Sequence, residues 1–123
     1  MEELQSGNEI QLDVEQVSRE LRIRPDIYVK IVVSFANSLA GKLKALSEAL
    51  AIKNNDQVRM ILHEIKGTAG NLRLKNIAEA ENIMHVAVKA GENSRQLSQY
   101  YENLRHESEK LQRYIIRFSN PSL

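Results

Sequence analysis

The residues best suited to chemistry are a histidine and a lysine in the stretch 62–74, LHEIKGTAGNLRL. His63 precedes Lys66 by one helical turn, and Gly67 and Gly70 follow. An exposed imidazole is a competent nitrogen nucleophile near neutral pH. A lysine one turn away supplies a mobile positive charge that can offset phosphoryl oxygens. The pair therefore suggests phosphoryl chemistry on a nitrogen atom, provided that both side chains share one exposed face.

The apolar residues around His63 predict a helix over about 56–71 whose buried face lies opposite the histidine. With His63 at zero and about 100° per residue, these apolar positions fall between about 160° and 260°. They are Val58, Ile61, Leu62, Ile65, Ala69 and Leu72. The residues within about 60° of His63 are Arg59, Lys66, Gly67 and Gly70. The histidine is therefore expected to face water beside two cations and two glycines.

The two glycines distinguish this face from an ordinary polar helix surface. A glycine inside a helix costs about 1 kcal/mol relative to alanine. Gly67 and Gly70 lie away from the predicted core, so packing within the chain does not require them. Their missing side chains clear the surface beside His63, which is expected if a large partner approaches the imidazole closely. A lone surface histidine is usually just a polar residue, but that explanation leaves both glycines unexplained.

Composition indicates a small globular domain and excludes several classes of function. The chain has 123 residues, of which 42% are hydrophobic and 27% charged, the balance of a folded protein. Its net charge of +1 gives no electrostatic case for nucleic acid. No apolar run approaches the roughly 18 residues that span a bilayer, and the acidic N-terminus is unlike a secretory signal. The chain has no cysteine, which agrees with a cytoplasmic location.

The elements that must position this face are predicted to be helices. A short helix is expected over 12–21, with Asp13 as its N-cap and Gln16 completing a capping box. Pro25 suits the first turn of a long second helix. Asp56 is expected to cap the helix of His63. Gly91 is expected to end the next helix, and the pair Asn93 and Gln96 to open the last one.

Regular apolar stripes on the other long helices support this assignment. The stripes consist of Tyr28, Ile31, Val32, Phe35, Leu39, Leu43, Leu46 and Leu50, then Leu74, Ile77, Ala78, Met84 and Val88, then Leu97, Tyr101, Leu104, Ser108, Leu111, Ile115 and Phe118. The fold class predicted is all-α: an antiparallel up-down four-helix bundle with a short N-terminal helix. It is expected to occupy 12–118, with a flexible lead-in at 1–11 and a frayed tail at 119–123.

The stretch from His63 to Leu72, HEIKGTAGNL, resembles the His-x-x-Lys-Gly-Ser-Ala-Gly-Asn-Leu motif of histidine-containing phosphotransfer (HPt) domains. The similarity extends over most of the chain. It implies a phosphorelay intermediate that accepts a phosphoryl group from a receiver-domain aspartate of a hybrid histidine kinase and passes it to a response regulator. It also implies a monomer in the cytoplasm that has no kinase activity, no cofactor and no membrane contact of its own. The Mg²⁺ ion belongs to the partner receiver domain.

Carried over by position, the resemblance makes His63 the phosphoacceptor and Lys66 the residue that stabilises the phosphoryl group. Gly67 matches the glycine that leaves room for the receiver, and the match extends through Gly70 and Asn71. Receiver docking is expected on an apolar patch around His63 with a rim of charges. The rim residues are Arg59, Lys66 and Arg73.

Two positions depart from the family pattern. The family usually has a glycine where this chain has Arg73, so the turn that closes the helix is expected to differ or to add a charge at the docking rim. Related chemotaxis kinases place a glutamate on the next helix, hydrogen-bonded to the active histidine. This chain has His85 at that spacing. His85 is expected to be a partly buried polar residue, or else a helper that touches His63.

Three other readings remain open at the level of sequence. HEIKG also resembles the dimerising phosphoacceptor segment of sensor kinases, although no ATP-binding motif follows it. A non-catalytic helical interaction module is a second alternative. A metal-binding bundle is a third, because Glu81 with His85 and Glu102 with His106 form i, i+4 pairs. These pairs are more simply expected to interact on helix surfaces, since di-metal bundles use other spacings.

Overall fold

The computed structural model describes residues 12–119, which form five helices and no strand. The predicted all-α class is therefore confirmed. The predicted lead-in at 1–11 and residues 120–123 of the predicted tail lie outside the described residues. The helices are α1 (Val14–Leu21), α2 (Pro25–Ala51), α3 (Asn55–Asn71), α4 (Lys75–Lys89) and α5 (Ser94–Ser119).

Three of the five helices, α1, α3 and α5, begin at a residue whose side chain accepts a hydrogen bond from a free N–H group of the first turn. The side chains of Asp13 and Asn93 accept hydrogen bonds from backbone N–H groups in the first turns of α1 and α5, as predicted. Pro25 is the first residue of α2, also as predicted. For α3 the prediction was wrong by two residues, because the cap is Asn54 and not Asp56.

The ends of α1 to α4 share one backbone conformation, although only the end of α4 uses glycine. Arg22, Lys53 and Arg73 have φ values of 59°, 58° and 62°, and Gly91 has φ of 75°. After α3, the N–H of Leu74 donates to the carbonyl of Ala69 at 2.9 Å, and that of Arg73 to Gly70 at 3.1 Å. This is the left-handed ending that glycine normally provides. Arg73 thus adopts this conformation although it is not a glycine.

The four long helices enclose one core, and each contacts two others. The contacting pairs are α2 with α3, α3 with α4, α4 with α5 and α2 with α5, while α1 packs on α2. All six apolar residues predicted to be buried in α3 and its closing turn are in the core. Two apolar residues of α2 differ from prediction: Ile31 is 41% exposed and Leu50 is half-buried. The side chain of Phe118 lies outside the described part of the chain.

None of the helices in the described range is both long enough and apolar enough to cross a membrane.

Candidate functional site

The exposed face of α3 carries the histidine and the lysine together. His63, Lys66 and Arg59 are all exposed, while Leu62 and Ile65 between them are fully buried. This arrangement follows from the 3.6-residue period, which turns the apolar stripe toward the core. The predicted orientation of His63 is therefore confirmed.

The two glycines leave bare backbone on this face. A Cβ atom built on Gly67 or on Gly70 would meet nothing within 4 Å. Neither position therefore requires glycine to avoid a contact with a Cβ atom, although both belong to α3, Gly70 one residue before its end. Since the chain's own packing does not need them, the structure leaves their cost unexplained unless something outside the chain approaches.

The charged side chains around His63 differ in whether they form ion pairs with other residues of the chain. The guanidinium of Arg59 pairs with Asp56 at 2.7 Å. Lys42 of α2 pairs with Glu64, the neighbour of His63, at 3.2 Å. These pairs are exposed or half-buried, so each contributes little to stability. Within residues 12–119 Lys66 makes no hydrogen bond or ion pair, which leaves its ammonium group available to an anion on His63.

An apolar groove runs beside this face, between α2 and α3. Its cavity volume is about 440 Å³. Two exposed isoleucines, Ile27 and Ile31, lie in it, and Thr68 of α3 forms one wall next to Gly67. The other lining residues are Lys30, Ser34, Phe35, Ser38 and Lys42. The sequence did not predict this groove, because the periodicity of α2 assigned Ile31 to the core.

Two more predicted site residues lie at the C-terminal end of α3. Asn71, the last residue of the helix, is exposed. The Arg73 side chain turns back along the helix, and its Nη1 donates to the carbonyl of Gly70 at 3.3 Å. Its Nε also lies 3.8 Å from a carboxylate oxygen of Glu20 in α1. Arg73 therefore lies at the edge of the His63 face, joined to the short N-terminal helix.

Glu81 is the residue whose burial the sequence did not predict. The predicted pair with His85 forms, but Glu81 lies on α4 with 0% exposure, so the predicted surface location of the pair was wrong. His85 is partly buried, as predicted, and its Nδ1 lies 3.1 Å from a Glu81 carboxylate oxygen. Burial raises the pKa of Glu81 above its ordinary value, while attraction to His85, Lys66 and His63 partly offsets this effect. Within the described residues no hydrogen bond joins His85 to His63.

Glu102 and His106, the second pair considered for metal binding, do not form an ion pair. Glu102 engages Arg105 at 2.8 Å instead of His106. No group of three or more His, Asp or Glu side chains in the described range is arranged to hold a metal ion.

The structure thus brings five predicted site residues onto one surface and places three beside it. Arg59, His63, Lys66, Gly67 and Gly70 share the exposed face of α3. Asn71 and Arg73 lie at its C-terminal edge, and His85 lies on the neighbouring helix. Comparison of the chain with protein-family models, curated proteins and solved structures gave no significant match. The family resemblance therefore remains a prediction.

Proposed function

We propose that this protein is an HPt-type phosphorelay intermediate in which His63 carries the phosphoryl group. The observation that supports this best is the combination on one helix face of an exposed imidazole, two glycines and a lysine that forms no ion pair with residues 12–119. The glycines are not required by internal packing. All four residues are explained together if the active site of a partner must reach the imidazole.

The chemistry proposed is nucleophilic transfer between an aspartate and His63. The lone pair of an imidazole nitrogen attacks the phosphorus of an aspartyl phosphate. The N–P bond forms as the P–O bond to aspartate breaks, and the electron pair of that bond returns to the carboxylate. The hydrogen on the other ring nitrogen stays in place, so the ring becomes positively charged. Lys66 offsets the charge of the phosphoryl oxygens during this step.

The partners proposed are receiver domains, one from a hybrid histidine kinase and one from a response regulator. A receiver presents an acidic phosphorylation site, which suits the cations Arg59 and Lys66 around His63. Bare backbone at Gly67 and Gly70 lets the receiver's loop and its Mg²⁺ ion approach. The groove containing Ile27 and Ile31 supplies the apolar part of the docking surface. Asn71 and Arg73 form its edge.

We also propose that residues 12–118 form an antiparallel up-down bundle and that the protein is a cytoplasmic monomer. The short loops 52–54, 72–74 and 90–93 support the antiparallel order, because such loops join neighbouring antiparallel helices. Four helices of one chain enclose the core. A two-helix kinase segment must instead complete its core by dimerising, so this observation favours the phosphotransfer protein over that alternative.

Phosphate transfer to the full chain from a receiver domain tests the proposal. The receiver is first phosphorylated by its hybrid kinase with radioactive ATP and then purified from it. We expect acid-labile label on the wild type and on His106→Gln, a control at another exposed histidine. We expect none on His63→Gln. No label on the wild type from any receiver of the source organism, or unchanged label on His63→Gln, would contradict the proposal.

A further inference from the structure

Arg73 combines an unfavourable backbone conformation with a side chain that adds little to stability. Its φ of 62° lies in the left-handed region, which disfavours residues other than glycine. Its guanidinium donates to the carbonyl of Gly70 at 3.3 Å, and its Nε lies 3.8 Å from a carboxylate oxygen of Glu20. The side chains of Arg73 and Glu20 are 43% and 48% exposed, so their pairing contributes little to stability. Folding alone does not explain an arginine here, whereas a contact with a partner does.

The guanidinium of Arg73 keeps donors for a second anion. A guanidinium carries five N–H donors in one plane, and two of them can bind a single carboxylate side by side. Within residues 12–119 the hydrogen bond to Gly70 is the only one that this group donates. The Glu20 oxygen, at 3.8 Å, is too distant for a hydrogen bond. A carboxylate from outside that approaches more closely than Glu20 can therefore bind Arg73 better than Glu20 does.

The contacts of Arg73 place these donors beside the candidate docking surface. Gly70 belongs to the exposed face of α3 that carries His63, and the hydrogen bond holds the guanidinium against the carbonyl of this glycine. Glu20 belongs to α1, which packs on α2. The guanidinium thus lies between an anion of its own chain and the surface on which a receiver is proposed to dock.

We propose that Glu20 competes with an acidic side chain of the docking receiver for Arg73, an inference that rests on the proposed function. In the unbound protein the Glu20 carboxylate offsets part of the positive charge at this edge. A receiver carboxylate must displace Glu20 from Arg73 or approach a second negative charge, and either requirement weakens docking. Arg73 thus favours receivers with an acid at this position, while Glu20 limits how tightly they bind. A relay carrier must leave one receiver before it meets the next, so a limit on affinity suits the proposed function.

Titration of the full chain with a receiver domain tests the inference. The probe is a receiver domain that transfers its phosphoryl group to His63, used here in the unphosphorylated form with Mg²⁺. Isothermal titration calorimetry measures the dissociation constant. We expect Glu20→Gln to bind this receiver about two- to fivefold more tightly than the wild type does, the range for an exposed ion pair. The gain should shrink at high salt, because exposed charges are then screened.

Matched variants separate the loss of a competing anion from a general change of charge. Glu15→Gln removes a carboxylate from another exposed position on α1, and we expect it to change the affinity by less than about 1.5-fold. Arg73→Gln should weaken binding. The double variant Glu20→Gln/Arg73→Gln should bind no more tightly than Arg73→Gln alone, because the two residues act as one pair. Thermal unfolding verifies that each variant is folded.

The outcomes distinguish this inference from the function on which it rests. Unchanged or weakened receiver binding in Glu20→Gln would overturn the inference alone, and so would an equal gain in Glu15→Gln. A gain from Glu20→Gln that persists in the Arg73→Gln background would also overturn it, because Glu20 would then act without Arg73. Failure of every receiver of the source organism to phosphorylate wild-type His63 would overturn the proposed function and this inference together.

Discussion

The hydroxyl of Tyr28 donates a hydrogen bond of 2.6 Å to the carbonyl oxygen of Leu72, and the Tyr28 side chain is fully buried. This bond joins the first turn of α2 to the C-cap residue that follows α3. The last carbonyl groups of a helix lack partners within the helix, so the tyrosine satisfies one of them. Burial raises the pKa of Tyr28 to about 12, which keeps the hydroxyl protonated as a donor at physiological pH. The helix that presents His63 is thus fixed at its C-terminal end.

Loss of this donor should weaken the whole fold. We expect Tyr28→Phe to lower the free energy of unfolding by about 1–2 kcal/mol, because the Leu72 carbonyl loses a buried partner. Urea denaturation measures the change. Tyr100→Phe is the control, since its hydroxyl makes only a 3.4 Å contact with Glu92 at a half-buried position. Equal stability of Tyr28→Phe and the wild type would show that another group or water replaces the bond.

The turn after α3 supports a prediction in which a mutation stabilises the protein. Arg73 has a φ of 62°, a conformation that costs residues other than glycine about 1–2 kcal/mol. We expect Arg73→Gly to raise the free energy of unfolding by about 1 kcal/mol, because the exposed pair with Glu20 contributes little. Thermal unfolding provides the measurement. Arg73→Ala loses the same guanidinium but keeps the strain, so it should not be stabilised, and similar gains in both variants would contradict this explanation.

The exposed face of α3 could be predicted from sequence, whereas its surroundings could not. Helical periodicity alone determines that His63 points away from Ile65, so this orientation needed no tertiary information. The exposure of Ile31 depends on how the apolar stripe of α2 rotates relative to the neighbouring helices over 27 residues. The burial of Glu81 depends on the contact between α3 and α4. Its residue type instead predicts exposure, because carboxylates are seldom fully buried. The left-handed Arg73 shows that tertiary packing can impose a turn without its preferred residue.

The pH dependence of stability should report the buried carboxylate. Burial raises the pKa of Glu81 above its ordinary value of 4.5. The folded state therefore binds this proton more tightly than the unfolded state does, and stability falls as the pH rises from about 4.5 through the folded pKa. We expect Glu81→Gln to remove this part of the slope in urea midpoints measured across the range. Glu79→Gln should retain it, and an unchanged slope in Glu81→Gln would assign the pH dependence to other groups.

The charge of Lys66 should matter for transfer and not for folding. We expect Lys66→Gln to slow phosphoryl transfer from a receiver about tenfold, because the phosphoryl oxygens lose a nearby cation. Its thermal unfolding should stay unchanged, since Lys66 is exposed. Single-turnover kinetics measure the rate, and Lys44→Gln, at an exposed position on α2, is the control. Equal slowing in both variants would indicate a general effect of net charge.

The glycines of the His63 face allow a direct comparison with a third glycine that lies elsewhere. Gly41 is exposed inside α2, and a Cβ atom there would also meet nothing within 4 Å. Alanine at Gly41 or at Gly67 should therefore stabilise the protein similarly, by about 0.5–1 kcal/mol. Glutamine is large and uncharged, so at Gly67 it should obstruct a docking receiver without adding repulsion between charges. We expect Gly67→Gln to weaken receiver binding at least about tenfold and Gly41→Gln to leave it unchanged, as measured by calorimetric titration. Equal affinities for the two variants, with both folded, would mean that the cleared surface beside His63 does not receive the partner.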